Sequence, residues 1–100
     1  MEIIKKKNGT TLEVKVVGRL DTNTAPQLDA DLQADMDVVD NIDLDFKDLD
    51  YISSAGLRTV LVIHKKMSSK KGKLTVKHPK DEVMEVFDMT GFSSFLNIED

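Results

Sequence analysis

Cysteine is absent from the 100 residues of this chain. Its absence excludes a disulfide scaffold, a metal site built on thiolates and a cysteine nucleophile. No apolar run approaches the length of a membrane span, and the opening residues, MEIIKKKNGT, lack the apolar centre of a signal peptide. A cytoplasmic protein with no membrane association is the simplest expectation.

Side chains that commonly carry catalysis are also scarce. The chain has two histidines, His64 and His78, and no cluster of histidines and acids with the spacing of metal ligands. A glycine-rich phosphate loop and the G-x-S-x-G motif of serine hydrolases are both missing. We therefore expect no bound metal, no cofactor and no enzymatic activity.

Charge is strongly segregated within an ordinary globular composition, 40% apolar and 32% charged. Nine aspartates and one basic residue lie between Asp29 and Asp50, whereas seven lysines and no acid lie between Lys65 and Lys80. The net charge of -4 disfavours nucleic acid as a partner. Because no aromatic residue is interleaved with the lysines, we interpret that segment as a solvated helix end and loop.

The apolar periodicity predicts one α/β domain over residues 1–100, in the order β-β-α-β-α-β-α with a final short strand. Two alternating runs flank Asn8-Gly9, a dipeptide typical of tight hairpin turns. A strand, a helix and a strand follow one another from Ile42 to Val76, which implies a parallel pair with a right-handed crossover. We expect a small mixed sheet of about four or five strands with three or four helices.

Capping residues and helical spacing place the helices. The first begins near Thr24, which can cap it, with Pro26 in the first turn. The second begins at Ser54, whose hydroxyl can accept a hydrogen bond from a free N–H of the first turn. The third ends at Gly91. The second helix carries one predicted stripe, with His64 at the edge of the core: Leu57, Val60, Leu61, His64 and Met67.

The serine pair Ser53-Ser54 allows two interpretations. In the first, Ser54 is only a helix cap, and the small residues after it allow close packing. In the second, its exposed hydroxyl is phosphorylated, and the added charge of about -1.5 to -2 repels an acidic partner surface. A catalytic serine is disfavoured, because His64 lies about 15 Å further along the helix and a nucleophilic serine needs an adjacent base.

Three segments together resemble the bacterial anti-sigma factor antagonists, single-domain members of the STAS family. Residues 18–28, GRLDTNTAPQL, resemble the G-x-L-D-x-x-T-A turn of that family. Residues 42–61, IDLDFKDLDYISSAGLRTVL, resemble its central strand, serine motif and following helix. Residues 86–92, VFDMTGF, resemble its F-D-x-x-G-L segment. The resemblance spans nearly the whole chain and implies a STAS-type domain.

The resemblance implies partner switching. The unmodified antagonist binds an anti-sigma factor that is also a serine kinase of the ATPase fold, and so frees a sigma factor. Phosphorylation ends the binding, and a PP2C-type phosphatase restores it. The acceptor is the serine two residues before the glycine, here Ser54, with Ser53 as a rival because it stands where many members have aspartate. The implied partner-binding residues are Asp21, Thr22, Asn23, Ser53, Ser54, Ala55, Gly56 and Arg58.

Alternatives stay open at this point. The resemblance assigns Asp21 to partner contact, but Asp21 can also be simply a turn residue before the first helix. We expect Asp21, Asp48 and Asp50 to form an acidic surface beside Ser54. The chain can instead be a STAS module of a transporter, a signalling complex or a lipid-transport system, without a phospho-switch. A small nucleotide-binding protein or hydrolase is a further candidate, which the missing phosphate loop disfavours. The resemblance also implies a largely monomeric protein.

Overall fold

A computed structural model describes all residues, 1–100, of the chain. It begins with the hairpin predicted around Asn8-Gly9, formed by β1 (Glu2–Asn8) and the antiparallel β2 (Thr11–Leu20). The elements that follow are α1 (Ala25–Met36), β3 (Asn41–Asp45), β4 (Leu49–Ile52), α2 (Ser54–Ser69), β5 (Lys73–Lys77), α3 (Asp81–Thr90), a short 3-10 helix (Phe92–Ser94) and β6 (Asn97–Glu99).

The strands form one mixed sheet in the order β1-β2-β3-β5-β6, with β4 also paired to β2. β1 is antiparallel to β2, and every other pairing in the sheet is parallel. β3 and β5 are parallel neighbours joined through α2, as the strand–helix–strand pattern predicted. The α/β class and the mixed sheet are therefore confirmed, and three α-helices accompany the sheet.

β4 is a strand that the sequence pattern did not predict, because the predicted order places a single strand between the first and second helices. Its two end residues are buried, and Asp50 and Tyr51 between them are exposed, so it lacks the strict alternation of a half-buried strand. A register shift at Gly18/Arg19 lets β2 pair with β4 beyond the end of β3. The sheet consequently has six strands, one more than the predicted upper number.

A single cluster of 23 buried apolar residues forms the core. The predicted stripe of α2 is wrong at Leu61, which is only half-buried, whereas Ile63 is fully buried. His64 is half-buried, as predicted for a residue at the edge of the core. His64 packs its ring against Phe95, with the ring centroids 5.1 Å apart. The buried face of α2 therefore follows Val60, Ile63 and Met67.

Lys70 joins the ends of α1 and α2. Its ammonium donates hydrogen bonds to the carbonyl oxygens of Met36 and Val39, both at 2.8 Å. A cation is favourable at the C-terminal end of a helix, where carbonyl groups lack intrahelical partners. Lys70 is exposed, as the interpretation of this segment as a solvated helix end predicted, and its ammonium also links the two helix ends.

Replacing Lys70 with methionine removes both hydrogen bonds and keeps the aliphatic stem. We expect the free energy of unfolding to fall by about 1 kcal/mol, measured by urea denaturation. The control is Lys65→Met, at an exposed position of the same helix, where we expect a change below about 0.5 kcal/mol. Equal losses in the two variants would show that the contacts of Lys70 contribute nothing specific.

Candidate functional site

The serine pair lies where β4 passes into α2, and the capping residue is not the predicted one. Ser53 is the N-cap, since its backbone is extended and its hydroxyl accepts a hydrogen bond from the Gly56 N–H at 3.3 Å. Ser54 is the first helical residue, is exposed, and has no side-chain hydrogen bond within the chain. The prediction that Ser54 caps the helix is wrong, because the Ser53 N–H bonds to the Leu20 carbonyl at 2.9 Å and keeps Ser53 extended.

The loop between β2 and α1 is held by Asp21. One oxygen of its carboxylate accepts hydrogen bonds from the N–H groups of Asn23 at 3.0 Å and Thr24 at 3.1 Å. The Thr24 hydroxyl accepts from the Asp21 N–H and donates to the Arg19 carbonyl, each at 2.8 Å. Thr24 therefore stabilises the turn and does not cap α1 with its side chain, contrary to the prediction. Asp21 therefore holds the turn before α1, and its assignment to partner contact stays a prediction.

The charge of Asp21 is favoured in the folded chain. Desolvation raises the pKa of Asp21, but hydrogen bonds from the Thr24 and Asn23 N–H groups and the Thr24 hydroxyl, together with the charge of Arg19, lower it by more, so the pKa lies below the ordinary 3.8. A carboxyl with a lowered pKa stabilises the fold above its unfolded pKa and loses this contribution as the pH falls through its folded pKa.

Asp21→Asn keeps an oxygen for the turn and removes the charge. We expect it to lower the free energy of unfolding at neutral pH and to differ less from the parent in strong acid, where the parent carboxyl is protonated. Urea denaturation at both pH values measures the difference. Asp31→Asn, at an exposed position of α1, is the control. A difference that persists unchanged in acid would contradict this account.

The loop and the start of α2 form one surface at the carboxyl ends of β2 and β4. A shallow groove of about 400 Å³ runs between α1 and α2 there. Thr22, Ala55 and Arg58, three residues of the predicted partner-binding set, line it. The sequence analysis did not predict the other lining residues. An apolar side chain at an exposed helical position, as at Val62, is the signal that could have indicated the groove. The other lining residues are Ala25, Pro26, Asp29, Thr59 and Val62.

Gly56 is buried beneath this surface. A Cβ atom at Gly56 would lie 2.7 Å from the carbonyl oxygen of Leu20 and 2.8 Å from Cγ1 of Ile52. Only glycine therefore allows the first turn of α2 to approach β2 and β4 this closely. Gly56 shapes the surface by packing, while Ser54 and Arg58 are the exposed members of the motif.

Arg19 and Tyr51 adjoin the Asp21 turn, and the sequence analysis missed them. The Arg19 guanidinium lies over the Tyr51 ring, 4.1 Å from its centroid, and its Nε lies 3.8 Å from the Asp21 carboxylate. Both side chains are exposed. No local motif contains them, because they become neighbours only through the pairing of β2 with β4.

The acidic surface expected around Ser54 is smaller than predicted. Asp48 forms an ion pair with Lys15 at 3.0 Å, and Asp50 forms one with Lys80. Asp48 precedes β4 and Ser54 follows it, so the four residues of this strand, about 13 Å long, separate them. The Leu20 carbonyl accepts a hydrogen bond from the Ser53 N–H, so the loop after Leu20 lies beside the start of α2. Asp21 is in this loop and is the acidic residue that the topology brings to the helix start.

The structure offers no group of three or more acidic residues or histidines arranged to hold a metal ion. None of its helices combines the length and the apolar character needed to cross a bilayer. What the site presents is an exposed serine at a capped helix start, a rigid acidic turn and a groove. The mixed sheet, its three helices and this surface define the class of the protein, an α/β domain whose candidate site lies at the carboxyl ends of β2 and β4.

The family model of the STAS domain matches residues 2–100. A protein of Bordetella bronchiseptica named as an anti-sigma factor antagonist, BtrV, is 40% identical over 82 residues, which are 81% of this chain and 71% of BtrV. The chain therefore belongs to the STAS domain family, as its three motifs indicated.

Two solved structures share the fold. One is a protein of Thermotoga maritima, TM1081, with a TM-score of 0.93 and 20% identity, covering 98% of this chain and 86% of that chain. The other is the anti-sigma factor antagonist SpoIIAA, in its unphosphorylated form, with a TM-score of 0.81 and 19% identity, covering 99% of this chain and 88% of that chain. SpoIIAA of Bacillus has also been solved phosphorylated, with a TM-score of 0.78.

Proposed function

We propose that this protein is an anti-sigma factor antagonist that is switched off by phosphorylation at Ser54. Its unphosphorylated form binds an anti-sigma factor and so frees a sigma factor. The observation that carries the proposal is the exposed Ser54 hydroxyl, unbonded at the first position of α2. The relationship to BtrV, 40% identical over 82 residues, supports the class of partner.

The capping arrangement favours Ser54 over Ser53 as the acceptor. The Ser53 hydroxyl already accepts a hydrogen bond from the Gly56 N–H and its residue is half-buried, so it is less accessible to a kinase than the exposed Ser54. The Ser54 hydroxyl is free, and a phosphate there leaves the cap in place. The added charge of about -1.5 to -2 then acts on the bound partner by repulsion and desolvation, with little change in the fold.

The binding surface in this proposal consists of the Asp21 turn, the start of α2 and the groove between the helices. Exposed side chains of Thr22, Asn23 and Arg58 contact the partner, and Ala55 lines the floor of the groove. Gly56 contributes by holding the first turn of α2 against β2.

The remaining parts of the mechanism follow from the same proposal. The anti-sigma factor is also the kinase, of the ATPase fold, and a PP2C-type phosphatase acts on the phosphorylated form. The antagonist itself is a cytoplasmic substrate and not an enzyme. The outer strand β1 carries three consecutive lysines, 5–7, and β6 has only three residues. Charged or short edge strands resist pairing with another sheet, which supports a monomer.

Phosphopeptide mass spectrometry on the protein purified from its own cells, with copurifying proteins identified in parallel, tests the proposal. We expect phosphate on Ser54 and an ATPase-fold kinase bound to the unmodified fraction. Phosphate on Ser53 would move the acceptor by one residue. No phosphate under any growth condition, with a transporter or membrane-complex subunit as the only partner, would replace the proposal by the alternative STAS module.

A further inference from the structure

Ser54 and Arg58 occupy positions i and i+4 of α2, so they lie one turn apart on the same face. Helical side chains lean toward the N-terminus, which directs the Arg58 side chain over the turn that carries Ser54. Four residues rise only about 6 Å along a helix. An arginine side chain can span this distance, so its guanidinium can reach a group attached to the Ser54 oxygen.

Arg58 is exposed and is absent from all six ion pairs of the structure. The other arginine, Arg19, is already engaged by Asp21 and the Tyr51 ring. Asp29 lines the same groove as Arg58 without forming an ion pair with it. Arg58 is therefore the arginine of this surface that forms no ion pair within the chain.

The backbone at the start of α2 does not offer all of its N–H groups as donors to a phosphate. The Gly56 N–H is bonded to the Ser53 hydroxyl, and the Leu57 N–H is bonded to the Ser53 carbonyl at 2.9 Å. Two donors of the first turn are thus already occupied in the unmodified protein. A guanidinium offers paired N–H donors that match phosphate oxygens, and such charge-assisted bonds are stronger than neutral ones.

We propose that Arg58 is the intramolecular receptor of the phosphate on Ser54. This inference rests on the proposed function and specifies how the switch acts. In the unmodified protein the Arg58 guanidinium is free to bind the partner. In the phosphorylated protein it pairs with the phosphate, so one modification both adds an anion to the surface and withdraws its free cation.

The test is a ³¹P NMR pH titration of protein carrying phosphoserine at position 54, introduced during translation. A nearby cation favours the dianion and lowers the second pKa of the phosphate. We expect this pKa to be lower in the parent than in Arg58→Gln by about 0.5 units or more, with Arg58→Lys in between. Lys65→Gln, which removes one positive charge from the same helix, is the control and should leave the pKa unchanged.

Equal phosphate pKa values in the parent and in Arg58→Gln, with both proteins folded by circular dichroism, would overturn the proposal. An equal shift in Lys65→Gln would also overturn it, because the effect would then be one of net charge. The titration requires no partner protein. It can therefore fail while phosphorylation and partner release stand, and it can succeed even if the partner is not an anti-sigma factor.

Discussion

Replacing Ser54 with glutamate weakens binding to the anti-sigma factor by about 10- to 100-fold, whereas Ser54→Ala leaves the affinity within about twofold. The glutamate places a negative charge at the exposed first position of α2, which the partner covers in the proposed complex. Binding would remove this charge from water, and that desolvation opposes association. Alanine removes only a hydroxyl that has no bond within the chain. Isothermal titration calorimetry with the partner identified by copurification measures both effects.

The matched control for this prediction is Ser68→Glu, which adds the same charge at an exposed position near the other end of α2. We expect it to bind like the parent protein. If Ser68→Glu lost as much affinity as Ser54→Glu, net charge and not position would explain the result. If Ser54→Glu bound as tightly as the parent, the start of α2 would not belong to the binding surface.

Gly56→Ala lowers the free energy of unfolding by about 1–3 kcal/mol. Alanine in a helix is ordinarily favoured over glycine by about 1 kcal/mol, so the expected sign is the reverse of the helix propensity. The reason is the space available, since the new Cβ would lie 2.7 Å from the backbone oxygen of Leu20. A backbone oxygen within a paired strand cannot move as a flexible side chain can, so α2 must shift away from β2.

Urea denaturation measures this loss, and Ser68→Ala on the exposed side of the same helix provides the control. We expect the control to be neutral or slightly stabilising. An increase in stability for Gly56→Ala would show that the first turn of α2 tolerates displacement. The close approach of this turn to β2 would then not be required for holding Ser54 beside the Asp21 turn.

Local rules were sufficient for much of the fold. The Asn8-Gly9 hairpin is specified by a turn that only a few dipeptides adopt readily. The parallel pairing of β3 with β5 follows from the handedness of a strand–helix–strand unit. The serine motif identified the start of α2 to within one residue.

The sequence by itself therefore determined the class of the fold and the family, and it predicted the segment around Ser53-Ser54 as the site. The tertiary structure decided that β4 is a separate strand, that Ser53 caps α2 and leaves Ser54 free, and that Arg19 stacks on Tyr51. All three depend on β2. Its register shift at Gly18/Arg19 accompanies the pairing with β4, and its Leu20 carbonyl accepts the hydrogen bond from the Ser53 N–H. Turn preferences and helical periodicity act over a few residues, whereas the pairing of β2 with β4 exists only once the chain has folded.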